Sequence, residues 1–167
     1  HLLTDWFLPV VNNQALSSSL EEQYTNAWSA ILSQLPSPAV SLVLRDFHVD
    51  NLMLIPGNTS NHQIGLLDFQ DARIGPIAYD IVSLLEDARR DIAEPFASKM
   101  LERYTDAMPL LDMQNFKLWY CVLAAQRHCK VLGIFSRLAI RDHKTQYLAH
   151  LTRVLRLLQK NLEFPQL

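Results

Sequence analysis

Apolar side chains at Leu20, Tyr24, Ala27, Ile31 and Leu35 recur at the spacing of one helical face. Ser19-x-x-Glu22 ahead of them has the form of a capping box, and Pro36 and Pro38 stop the helix. The period then shortens. Residues 40–45 read as a short buried strand, 52–55 as a second and 63–68 as a third, with a turn over Pro56-Gly57-Asn58-Thr59-Ser60-Asn61. Beyond Gly75-Pro76 the helical spacing returns, predicting helices near 79–91, 95–107, 112–138 and 143–161. Asp112 suits the N-cap of the third of these, and Gly133 is expected to weaken or bend it. The fold class is α+β, mostly α-helical, with a small β feature and no internal repeats.

The composition of this 167-residue chain, 49% hydrophobic and 19% charged, is that of one globular domain with a real core. Its apolar runs fall short of the roughly 18–20 residues that span a bilayer, so no membrane partner is expected. No basic segment followed by an apolar run opens the chain, and His1 in place of Met reads as the start of a fragment. Cys121 and Cys129 fall on one predicted helix, about 12 Å apart along its axis, too far for a disulfide. Both read as core residues in a reducing, cytoplasmic setting. Trp6, Trp28 and Trp119 likewise read as core.

Charge is unevenly spread. Residues 1–116 hold 6 Lys or Arg and 15 Asp or Glu, a net −9, whereas residues 117–167 hold 9 and 2, a net +7. The split suits an anionic ligand between the halves, nucleic-acid binding, or a basic helical face paired with the acidic half. Acids clustered near the candidate site below count against nucleic acid.

The chemistry concentrates in Arg45-Asp46-Phe47-His48-Val49-Asp50-Asn51, set between the apolar runs 42–44 and 52–55. Asp68 follows at the end of another apolar strand, in "IGLLDFQDA". Carboxylate and amide oxygens are the hard ligands Mg²⁺ prefers, usually one or two beside nucleotide phosphates and water. Asn51 and Asp68 supply such a pair, and Asp46 is left to accept a proton from an attacking hydroxyl. Phosphoryl transfer needs that division of labour.

The order Arg-Asp-x4-Asn followed by Asp-Phe resembles the protein-kinase signature. His48, two residues after Asp46, is similar to the aminoglycoside phosphotransferase and choline-kinase branch, and so is "LLDFQDARIGPIAYDIVSLL". "LLEDARRDI" and "AAQRHCKVLGIFSRLA" resemble a bacterial subgroup that phosphorylates N-acetylmuramate and N-acetylglucosamine at the anomeric hydroxyl. The resemblance implies the C-terminal lobe of a protein-kinase-like fold, with ATP as co-substrate, Mg²⁺, and an amino-sugar or aminoglycoside-like acceptor. It implies a catalytic loop over 45–51, a metal-binding segment over 64–71 and substrate-side helices over 79–161. Asp46 takes the place of the catalytic base, with His48 near the transferred group. Asn51 and Asp68 take the places of the metal ligands. Arg45 and Asp80 support the loop, Asp80 by accepting its backbone N–H bonds.

Two departures, Leu44 and Gln70 in place of His and Gly, argue against a protein kinase with a swinging activation segment. The four glycines, at 57, 65, 75 and 133, form no G-x-G-x-x-G, so the N-terminal nucleotide lobe is expected outside this chain. A non-catalytic kinase-like lobe used as a binding module is the alternative. Asp71 either supports the metal site or pairs with Arg73. Arg89 and Arg90 reach substrate or form a surface charge run. Gln126, Lys130, Gly133 and Arg137 share one helical face, which either lines a substrate cleft or is simply wet.

Overall fold

The computed structural model describes residues 1–56 and 63–164. The expected turn therefore lies, from Gly57 onward, outside the described residues. The chain forms two compact units, one of residues 1–37, 88–91 and 121–167, the other of residues 38–87 and 92–120. No helix among the described residues is long and apolar enough to cross a membrane.

In the first unit a π-helical segment, Leu3–Phe7, runs into α1 (Leu8–Asn12), which stops where Asn13 adopts φ 52°. Asn tolerates this left-handed conformation, a common helix stop. Helix α2 spans Ser18–Gln34. Its cap is Ser17, not Ser19: the extended backbone of Ser17 turns its hydroxyl to accept from the Leu20 amide at 3.4 Å. Ser19 instead accepts from the Gln23 side chain.

A core of Phe7, Ala88, Val131, Leu132, Phe135 and Val154 joins the N-terminal segment to the later turns of α5 (Met113–Ile140) and to α6 (Leu151–Leu162). The helix expected over 143–161 is divided into a 3₁₀ stretch, Thr145–His150, and α6, with His143 at φ 55° ahead of both. Gly133 neither ends nor interrupts α5. A Cβ there would overlap the Leu2 backbone carbonyl, so glycine is what lets the N-terminal segment lie against the helix. Helix propensity favours Gly133→Ala by about 1 kcal/mol, but a backbone clash in a packed core outweighs it. The variant is expected to lose about 1–3 kcal/mol of stability, read as a lowered urea midpoint at unchanged m.

Residues 88–91 also belong to this unit. Asp91 binds Arg153 at 2.8 Å and Arg156 at 2.5 Å, and the Arg89 guanidinium lies 5.6 Å from the centre of the Phe135 ring. Arg153, joined by Arg156, holds the Asp91 carboxyl down at about 2. These contacts and the burial of Ala88 draw the segment out of helix, so the helix expected over 79–91 ends at Leu85. Both cysteines are free thiols, and burial pushes the Cys129 thiol up.

The second unit carries two antiparallel two-stranded ladders. β1 (Val40–Val43) pairs with β4 (Arg73–Pro76) in the register Val43↔Arg73, and β2 (Leu52–Ile55) pairs with β3 (Gln63–Leu66) in the register Leu52↔Leu66. The strands expected over 40–45 and 63–68 are shorter because Arg45 and Asp68 turn to φ 73° and 56°. All three expected strands are also less buried than their apolar character suggested: Leu42 is 61% exposed, Leu54 67% and Ile64 53%. β4 was not foreseen, since Gly75-Pro76 reads as a break.

Helix α3 (Ala78–Leu85) buries Ala78, Ile81, Val82 and Leu85. Helix α4 (Glu94–Asp106) begins with a proline in its first turn, and its Tyr104 hydroxyl donates to the Ile77 carbonyl at 3.0 Å. Asp112 caps α5, accepting from the amides of Gln114 and Asn115 at 3.0 Å each.

Candidate active site

Both connectors between the ladders span the same gap. The chain leaves β1 at Val43 and enters β2 at Leu52, and it returns from Leu66 to Arg73, the pairing partners of those residues. The loops 44–51 and 67–72 are therefore brought side by side by strand register alone. One backbone bond joins them, the Leu67 amide donating to the Asn51 carbonyl at 2.9 Å.

Asp80, in the first turn of α3, sets the start of the first loop. Its carboxylate accepts from the Leu44 amide at 2.6 Å and from the Arg45 amide at 3.0 Å. A left-handed non-glycine residue costs on the order of 1–3 kcal/mol. Hydrogen bonds to a charged acceptor contribute about 1.5–3 kcal/mol each, enough to hold Arg45 there. Burial, with the Asp80 charge second, pushes the neighbouring Tyr104 hydroxyl up. Tight turns follow, with the Asp46 amide on the Leu44 carbonyl (3.0 Å), His48 on Asp46 (3.1 Å) and Asn51 on His48 (2.9 Å).

The Asn51 amide nitrogen donates to the Asp46 carbonyl at 2.8 Å and lies 3.5 Å from His48 Nε2. Its Oδ1 is thereby left available. The Asp46 carboxylate is exposed and has no hydrogen-bond partner among the described residues. The His48 side chain is only 13% exposed, with Nδ1 3.9 Å from the Asp50 carboxylate. Asp68 is exposed at the head of the second loop and accepts from the Gln70 side chain. Asp71 faces Arg45, at 4.0 Å, in place of the Arg73 pairing considered above.

Asn51 and Asp68 lie on the two joined connectors and offer an amide and a carboxylate oxygen, donor types that suit Mg²⁺. Among the described residues no group of three or more His, Cys, Asp or Glu could hold a metal ion. Mg²⁺ in nucleotide sites usually takes one or two protein oxygens and completes its shell with phosphate and water.

Arg89, Arg90, Gln126, Lys130 and Arg137 all fall in the first unit, whereas Arg45, Asp46, His48, Asn51, Asp68, Asp71 and Asp80 fall in the second. Gln126 and Lys130 line a cavity of about 350 Å³ with Tyr24 and Trp28 of α2. Arg137 is not part of that lining, and Gly133 is covered by Leu2, so the polar face of α5 is not one continuous stripe. Trp28, read as core, is only half-buried on the cavity wall. The signal missed was the four-residue spacing of Tyr24 and Trp28, which puts both rings on one side of α2.

An α+β unit with an Asp-x4-Asn loop beside a strand-end aspartate has the arrangement of kinase-like phosphotransferases. A family model described as the phosphotransferase enzyme family matches residues 2–119, and the chain belongs to that family. It is 35% identical over 166 residues to an N-acetylmuramate/N-acetylglucosamine kinase of Neisseria meningitidis, covering 96% of this chain and 48% of the relative. Proteins of the same name are similar in Pseudomonas aeruginosa (36% over 169 residues; 95% and 47%) and Caulobacter vibrioides (36% over 127 residues; 76% and 35%). The chain spans about half the length of the curated relatives it matches, or less.

Proposed function

We propose that the chain is the C-terminal lobe of a cytoplasmic, ATP- and Mg²⁺-dependent small-molecule kinase that phosphorylates a hydroxyl of an amino sugar. The observation that supports this reading is the exposed Asp46 carboxylate in a loop whose backbone carbonyl at Asp46 accepts from the Asn51 side chain, and which is joined to the Asp68 connector by the Leu67 amide on the Asn51 carbonyl. Asp46 takes the proton of the acceptor hydroxyl as its oxygen attacks the γ-phosphorus, and ADP leaves. Asn51 and Asp68 would hold Mg²⁺, which neutralises charge on the transferring phosphates. His48 packs against the amide of Asn51 and orients it, while Asp80 and Arg45 keep the loop in its turn.

The relatives' printed names, which join N-acetylmuramate with N-acetylglucosamine, support an amino sugar as acceptor. The exposed apolar positions Leu42, Ile74 and Leu54 support a nucleotide-binding N-terminal lobe docking on the ladders. Supplying the full-length protein with Mg·ATP and either sugar tests the reading by phosphorus NMR. The expected result is a sugar phosphate ester formed one-for-one with ADP. Nucleotide and sugar binding without ester formation would favour a non-catalytic binding module instead.

A further inference from the structure

Gln70 stands where the protein-kinase signature has glycine. Its side-chain nitrogen donates to Oδ1 of Asp68, two residues earlier. The bond is exclusive on both sides: among the described residues neither side chain has another hydrogen-bond partner or an ion pair. Both residues are exposed, so a glycine at position 70 would leave the Asp68 carboxylate to rotate in solvent.

The backbone of this connector is fixed by other means. The Leu67 amide donates to the Asn51 carbonyl at 2.9 Å and the Ala72 amide to the Phe69 carbonyl at 3.1 Å, while Asp68 itself sits at φ 56°. These features set where the Asp68 backbone lies. They leave two side-chain torsions open, and Gln70 is the group that restrains them.

The donor is also neutral. A lysine or arginine paired with Asp68 would restrain it as well but would compete with a bound cation for its charge. Arg45, the cation of the other connector, faces Asp71 at 4.0 Å instead. The Asp68 carboxylate therefore has Oδ1 held by an uncharged group and Oδ2 without a hydrogen bond among the described residues. Carboxylates that ligate metals are themselves hydrogen-bonded, and losing such a partner typically costs about 10- to 100-fold in metal affinity.

We propose that Gln70 is a positioning residue for the metal: it holds one oxygen of Asp68 so that the other meets the cation already oriented. The inference rests on Asp68 being a metal ligand, as in the kinase reading above, and assigns the residue that orients it.

The test is a double-mutant cycle on Mn²⁺ binding to the full-length protein with ADP present, read by water-proton relaxation. It compares wild type, Gln70→Met, Asp68→Asn and the double variant. Met keeps the length of the side chain and removes the donor, and an unchanged urea midpoint confirms that the exposed substitution leaves the fold intact. Gln70→Met should weaken Mn²⁺ binding about tenfold, the low end for such partners because the pair is exposed. On the Asp68→Asn background the same change should have less than about a twofold further effect, since no charged ligand is left to orient. A Gln70→Met titration that overlays on wild type, or an equal loss on both backgrounds, overturns the inference and leaves Asp68 as a ligand. Should Asp68→Asn alone bind Mn²⁺ as wild type does, the ligand reading fails first, and the role of Gln70 falls with it.

Discussion

Asp46→Asn in the full-length protein is expected to lower kcat by about 10²–10⁴-fold, the usual contribution of a positioned general base. The substitution isolates chemistry from folding. The Asp46 side chain is exposed and engages no partner among the described residues, so an amide of the same shape leaves nothing buried and unsatisfied. The bonds that shape the loop come from the backbone and from the Asp80 carboxylate, and neither depends on the Asp46 side chain. Stability should therefore stay within about 0.5 kcal/mol of wild type. KM for nucleotide should change little, because the Asn51 amide is held by the Asp46 backbone carbonyl, which the substitution leaves in place. Turnover within a few-fold of wild type in this variant would remove Asp46 from the role of base.

Asp68→Asn is expected to lower turnover on the order of 10³-fold and to flatten its dependence on Mg²⁺ concentration. Asparagine is the right replacement here. Asp68 sits at φ 56°, a conformation asparagine tolerates and alanine does not, so the backbone of the second connector is kept. The amide oxygen can still accept from the Gln70 side chain, as the carboxylate does now. What is removed is the negative charge, the property by which a carboxylate outbinds an amide for a small hard cation. An Mg²⁺ dependence like that of wild type would mean that the ion is held elsewhere.

The residues of the second unit's loops were the most legible part of the chain, because their chemistry is written in side-chain type and short spacing. Asp46, Asn51 and Asp68 stood out as candidates from the strands expected on either side, and β2 lies where its apolar run predicted. The Asp112 cap and α4 were likewise local readings, each set by residues within a turn of one another. Misreadings arose where the deciding partner is remote. The end of α3 is drawn by Asp91 reaching arginines 62 and 65 positions away, and Gly133 is required by the backbone of Leu2. β4 exists because Val43 offers Arg73 a partner, a cross-chain pairing that Gly75-Pro76 hides in one dimension. The exposed apolar strands were read as buried because hydrophobicity reports a wish for cover without naming what supplies it.

Binding of Mn²⁺, a paramagnetic stand-in for Mg²⁺, to the full-length protein in the presence of ADP probes most directly whether the two connectors form one metal–nucleotide site. Water-proton relaxation should show ADP-dependent binding in wild type, weakened by at least about tenfold in both Asp68→Asn and Asn51→Ala. Titrations of the two variants that overlay on wild type would place the ion away from both loops and contradict the account.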